Sequence, residues 1–295
     1  MNMNTLTWLI RRELWEHRAI WMVPSVLLGL LLLAAVTGNL ALGGLEIEAG
    51  GRDLVQIPAD ERGTAVAVLF AVISGLLMAS MAFVGVFYAL DALYADRRDR
   101  SVLFWKSLPV SDLETVLSKL LTVAVVIPVI GLLAGFIGYL IIAIGASVKL
   151  AALDGPVGLF WMPDVMLQTL VAVAGLAFTY VLWLLPIIAW LLLASAWAPR
   201  APFLWATLPV FATGMLEKLA FGTTGLFDLV GYRISGVPAQ LFIGPDHHMS
   251  GLPATEMLSR GLGLFTSPDM WLGWAAAAVL MAATIWVRRY REESI

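Results

Sequence analysis

From Thr64 to Leu90 the chain runs twenty-seven residues without an Asp, Glu, Lys or Arg. At about 1.5 Å per helical residue, such a run exceeds the ~30 Å hydrocarbon core of a bilayer. Leu120 to Ser147 repeats the pattern. Between the two lies Asp91–Lys119, DALYADRRDRSVLFWKSLPVSDLETVLSK, the longest charged passage of the chain. Its cations are Arg97, Arg98, Arg100, Lys106 and Lys119, and its carboxylates Asp91, Asp96, Asp99, Asp112 and Glu114. A bare charge in lipid costs on the order of several kcal/mol, so two membrane spans must hold this passage at a water-facing surface.

Composition agrees. Hydrophobic residues make up 60% of the 295 and charged ones 13%, with a mean hydropathy of +0.89; soluble domains carry roughly 25% charged residues. The reading is an integral membrane protein. Cysteine is absent, which excludes disulfides, thiolate metal sites and cysteine nucleophiles and leaves the redox compartment unread. The net charge of −3 says little, because what matters is the side of the bilayer each charge occupies. No basic patch interleaved with aromatics points to nucleic acid. A polar segment precedes the first apolar run, which is too long for a signal-peptide core and reads as a retained anchor.

Hydropathy predicts an all-α, polytopic fold in a single membrane domain, 1–295, with six transmembrane helices. The spans are Ile20–Leu42, Thr64–Leu90, Leu120–Ser147, Val165–Trp197 (interrupted by Pro186), Pro202–Leu219 and Trp271–Val287. Pro209 and the Glu217-Lys218 pair shorten the fifth. In residues 1–18, Leu6, Leu9, Ile10 and Leu14 recur at helical spacing, while Arg11, Arg12 and Glu13 fall elsewhere on the wheel. Trp8, Trp15 and Trp21 belong at a headgroup boundary. This segment reads as an amphipathic helix in the cytoplasmic interface, or as a charged flank that only sets topology.

An even number of spans puts both ends on one side. That side holds Arg11, Arg12, Arg18, the cations of 97–119, Arg200, Arg288, Arg289 and Arg291. The other keeps Arg52, Arg62, Lys149, Arg233 and Arg260 among acids such as Glu46, Glu48, Asp53, Asp60 and Glu61. Twelve cations against five make the first side cytoplasmic. Residues 222–270, with glycine, proline and short apolar pieces (Leu226-Phe227, Leu241-Phe242-Ile243), then form an enlarged external segment of partly re-entrant character.

In the charged passage, 91–119, span two continues as a helix past Leu90 into the run of charge. Ser101–Ser107 makes a short amphipathic piece, with Val102, Leu103, Phe104 and Trp105 beside Arg100 and Lys106, and Pro109 stops it. Ser111 with Glu114 three residues on fits a capping box that starts the helix into span three. Helix, transverse helix, turn and helix make a knob able to pass a push from a soluble partner into two spans. Topology alone needs the cations but neither Phe104, Trp105 nor a capped turn.

Arg100-Ser101-Val102-Leu103, Ser107-Leu108-Pro109-Val110-Ser111 and Lys119 eight residues later, after an acid-rich end to span two, resemble the ABC-2 type transporter permeases. The six-span layout, the helix before span one and the enlarged region before span six are similar too. The motif covers about twenty-five residues, and either Asp96 or Asp99 stands where a Glu is usual. The resemblance implies that residues 97–106 form a coupling helix. Asp96, Arg97, Arg98, Asp99, Arg100, Val102, Leu103, Phe104, Trp105 and Lys106 would meet an ATP-binding cassette ATPase subunit, with Pro109, Ser111, Glu114 and Lys119 as turn and cap. It implies a second permease chain, identical or different, and a place in the cell's inner membrane. No G-x-x-x-x-G-K-[ST] occurs, so ATP hydrolysis belongs to the partner and the chain itself is expected to be neither an enzyme nor a cofactor binder.

Glu217-Lys218 reads as an ion pair near an outer mouth, or as the point where the helix leaves lipid. Asp246-His247-His248, with Asp269 or Glu256, has metal-ligating residue types, but adjacent histidines diverge on regular structure and a solvated loop is the favoured reading. Gly131-x-x-x-Gly135 matches the small-xxx-small pattern of close helix contact. The spans carry almost no ionisable residue near mid-bilayer, against ion-coupled secondary transport and consistent with a hydrophobic or amphipathic substrate. The expectation is therefore a permease subunit of an ATP-driven exporter. The alternative is a non-transporting assembly or sensor subunit that uses the same loop for another cytoplasmic partner.

Overall fold

The computed structural model of the chain describes residues 3–37, 40–42, 45–47, 62–99, 110–152, 154–236 and 254–291. These are helical almost throughout. The long helices are apolar on their exposed sides as well as their buried ones: Val26, Leu30, Leu33, Phe83, Phe87, Leu133 and Ile137 all face outward. Helices apolar all round belong in a hydrocarbon solvent, where the backbone must satisfy itself.

Helix α1 (Met3–Glu16) meets α2 (Ala19–Thr37) through His17 and Arg18. The first span stops at Thr37, short of the expected Leu42. Leu40–Leu42 instead forms strand β1, antiparallel to β2 (Leu45–Ile47) with Leu40 opposite Ile47, a small exception to the all-helical expectation. Helix α3 (Arg62–Arg98) is one unbroken rod that continues well past Leu90. Helix α4 (Asp112–Leu121) passes through a π-helical turn, Thr122–Val126, into α5 (Ile127–Ala152). The wider turn lies just before Pro128, whose ring and missing N–H disturb the regular ladder, and Ile127 N–H reaches back five residues to Thr122 O.

The fourth expected span divides at Leu184. Helix α6 (Pro163–Trp183) ends there, and α7 (Leu185–Trp197) resumes with Pro186 in its first turn, where a missing N–H costs nothing. Backbone bonds from Leu184 N to Tyr180 O and from Ile188 N to Leu184 O carry the ladder across the joint. Helix α7 then turns through 119° into α8 (Pro202–Phe221), at a corner where Ala201 takes a left-handed φ of 47° just before Pro202. Among the described residues five helices are long and apolar enough to cross a membrane, or six if the bent α7–α8 pair counts as one span. The remaining chain forms α9 (Gly225–Gly231) with a π-helical turn at Tyr232–Gly236, then α10 (Ala254–Gly263), a 3-10 turn at Leu264–Thr266, and α11 (Pro268–Arg291).

Among the described residues, the two largest buried apolar clusters lie along the bundle. One joins Ala35, Phe70, Ile73, Leu77, Tyr139, Ile142 and Phe160 from α2, α3, α5 and the turn before α6. The other joins Ile20, Met81, Tyr88, Ala92, Ile127, Ile188 and Leu192. Between α3 and α5 the helices close on a stripe of glycines. A Cβ at Gly135 would lie 2.9 Å from the Cα of Ser74, and one at Gly138 would lie 3.0 Å from Ile73. The small-xxx-small pattern thus serves packing within the chain.

Segment 222–270 is partly built into the bundle. Arg233 lies over the ring of buried Trp183, 4.3 Å from its centre, and donates to Asp269 O at the start of α11. Trp183 Nε1 and Tyr180 OH donate back to Arg233 O and Ile234 O. Leu258 of α10 packs on Gly175 of α6.

Candidate functional site: a buried charge hub

The charged ends of four helices converge on Asp96. Helix α3 carries it in its last turns, and it is 4% exposed. Lys119 of α4 places Nζ 3.3 Å from Asp96 Oδ2, Arg288 of α11 places Nη1 3.4 Å from the same oxygen, and Arg12 of α1 places Nη2 3.1 Å from Oδ1. Lys119 also donates to Glu13 Oε1 of α1 at 3.0 Å, and Arg288 Nε to Asp112 Oδ1 at 3.1 Å. Tyr88 OH donates to Glu13 Oε2 at 2.7 Å, and Arg12 Nε to Glu16 Oε1 at 2.7 Å. Lys119, Glu13 and Arg288 are all essentially out of water.

Burying a charge is costly unless partners and hydrogen bonds replace the lost hydration. The hub meets that condition through sharing: three cations, Arg12, Lys119 and Arg288, interleave with the carboxylates of Glu13, Glu16, Asp96 and Asp112. His17 closes the set, with Nε2 3.7 Å from Glu13 Oε2 and its ring edge-on to Tyr88. Burial lowers the His17 pKa below the ordinary histidine value; the Glu13 carboxylate pulls the other way and Lys119 adds to the lowering.

Local sequence explains each placement. Leu6, Leu9 and Glu13 share one side of α1, so the apolar stripe that packs α1 inward carries Glu13 with it. The expectation that Glu13 falls with the polar residues is corrected here: its neighbours on the wheel are leucines, and its charge is met by Lys119. Ser111 caps α4, with its hydroxyl accepting from Glu114 N and the Glu114 carboxylate accepting from Ser111 N, the reciprocal box that the sequence predicts. This fixes where α4 starts and so the phase that turns Lys119 inward.

A second tie holds the same end of α3. Ser195 Oγ of α7 accepts from Leu93 N and Tyr94 N, and Arg97 donates to Ser195 O and Ala198 O at 2.6 and 2.9 Å. The ends of α1, α3, α4, α7 and α11 therefore lie at one end of the bundle, and both ends of the described chain lie there too.

Of the residues singled out in sequence, Asp96 and Lys119 meet in the hub and Arg97 secures α7. Arg98 and Asp99 form an exposed pair 3.0 Å apart, with Asp91 3.7 Å from Arg98, so of the two aspartates it is Asp96 that is buried. Arg100, Val102, Leu103, Phe104, Trp105, Lys106 and Pro109 lie outside the described residues, as do Asp246, His247 and His248. Glu217 turns to α9 rather than to Lys218: it accepts from Thr223 Oγ1, Gly225 N and Leu226 N, and among the described residues the expected pair is not formed. Arg12, Glu13, Glu16, His17, Tyr88, Asp112 and Arg288 are the hub members that sequence reasoning did not single out. Among the described residues no cluster of three or more His, Asp or Glu is arranged to hold a metal ion.

No protein-family model, curated protein or solved structure matches this chain.

Proposed function

We propose that this chain is the membrane-spanning subunit of an ABC-2 type ATP-binding cassette exporter. It works with a separate ATPase subunit and a second permease chain, and moves a hydrophobic or amphipathic substrate. The observation that carries the reading is the position of the hub. Asp96 and Lys119 flank the 97–106 stretch in sequence and touch each other in space. Whatever grips that stretch therefore pulls on α1, α3, α4 and α11 together, because their charged ends share partners. Residues 97–106 are the coupling helix, Phe104 and Trp105 its anchors, and α1 lies in the cytoplasmic interface of the inner membrane. Both termini are cytoplasmic. The apolar bundle interior, with its charges gathered at one end, supports an uncharged path for the substrate.

The test is co-purification with any ATP-binding cassette ATPase whose gene adjoins that of this chain. The wild type retains the ATPase through size exclusion. Changing Phe104 and Trp105 together to Ala weakens the complex by about tenfold or more, because buried aromatic anchors at an interface cost roughly 1–2 kcal/mol or more each when truncated. An undiminished complex would remove the docking role.

A further inference from the structure

Helix α1 has two opposed faces, and the one turned away from the hub is a second site. Trp8, Arg11 and Trp15 follow at i, i+3 and i+7 on that face, and the two tryptophans are 64% and 66% exposed. The Arg11 guanidinium carbon sits 5.3 Å from the centre of the Trp8 ring and 4.9 Å from that of Trp15. Cation–π contact with two indoles holds the guanidinium in place without neutralising it. Among the described residues no carboxylate lies within ion-pair distance of Arg11; its neighbour Arg12 takes Glu16 and Asp96. Arg18, also without an ion pair among them, follows one helical repeat on, and exposed Trp21 and Met22 continue the surface into α2. Helix α2 begins at Ala19 and is a candidate span, so Arg11 stands on the helix that leads directly into the first lipid-facing turn.

We propose that this face binds the phosphate of an anionic phospholipid headgroup, with Arg11 as the anion ligand and Trp8 and Trp15 as the walls that hold it. The charge sign, the planar donor fork and the flanking indoles match a headgroup boundary, where indoles sit and acidic lipids attract Lys and Arg. The inference rests on the membrane reading but not on the ATPase. Because Arg12, Glu13 and Glu16 leave α1 away from that face, a bound headgroup braces the helix that carries these three hub residues.

The experiment uses the purified full chain in dodecylmaltoside, with thermal unfolding followed as phosphatidylglycerol, phosphatidylcholine or inorganic phosphate is added. Phosphatidylglycerol raises the midpoint of the wild type and the other two do not. Arg11→Gln lowers the apparent affinity for phosphatidylglycerol about fivefold, the effect of one surface arginine near acidic lipid. Arg11→Lys falls between, since an ammonium keeps the charge and loses the planar stack. Lys149→Gln, near the other end of the bundle, behaves as wild type. Both Arg11 variants must match the wild-type midpoint without lipid, which is expected for an exposed side chain. An equal response of Arg11→Gln and wild type, or an equal shift from phosphatidylcholine or inorganic phosphate, overturns the proposal. Loss of ATPase binding in a separate assay would leave this result standing.

Discussion

Lys119 has a carboxylate on either side and almost no contact with water. Changing it to Met keeps most of the volume and strands Glu13, whose remaining partners are a neutral tyrosine and a histidine whose pKa burial lowers. Removing one member of a buried ion pair costs roughly 3–5 kcal/mol, mostly because the other charge stays behind. Lys119→Met is therefore expected to lower the thermal midpoint of the purified protein sharply. Adding Glu13→Gln to that variant recovers part of the loss, with a coupling of about 1–3 kcal/mol in the double-mutant cycle. Simple additivity would show that the two side chains do not act as a pair. The hub was half legible. Asp96 and Lys119 stand out in sequence because they belong to the charged passage between two apolar runs, whereas Arg288 reads there as a topology-setting cation and Glu13 as part of a polar face. Their partners lie 106 and 192 residues away, a separation that no local pattern records.

Elements were easier to read than side-chain partners. The capping box, the continuation of α3 past Leu90 and the interruption near Pro186 follow from local backbone chemistry, which short stretches encode fully. The β1–β2 pairing and the turning of Glu217 toward α9 are made with partners only a few residues along the chain, but no hydropathy pattern marks them. Packing of α3 on α5 falls between: Gly131-x-x-x-Gly135 marks a close approach but not its partner. That partner is α3, and the approach is uneven. At Gly135 an added Cβ meets the Ser74 backbone at 2.9 Å, whereas at Gly131 the nearest atom is the mobile Met78 Sδ at 2.7 Å. Gly135→Val should drive the helices apart, destabilising by about 1–3 kcal/mol or more, while Gly131→Ala is accommodated by a methionine rotamer. Thermal unfolding of the two variants side by side checks this. Equal midpoints would mean that the helices yield freely at Ser74.

For the molecule as a whole, the sidedness of the bundle is the property with most at stake. The chain has no cysteine, so single cysteines report without background. With a membrane-impermeant maleimide on intact cells, Lys218→Cys is expected to label and Ser107→Cys to label only after permeabilisation. The reverse pattern would put the 97–106 stretch outside the cell, where no ATPase could reach it. Helix α3 gives the sidedness a mechanical meaning. Its 37 residues make a rod about 55 Å long, close to twice the hydrocarbon thickness. The rod is clamped at Asp96 and rests at Ser74 against the bare backbone of Gly135. That contact acts as a fulcrum about 33 Å from the clamp and about 18 Å from the far tip at Arg62. A sideways displacement at the clamp would thus emerge at the far tip reversed in direction and roughly halved, so this lever trades travel for force.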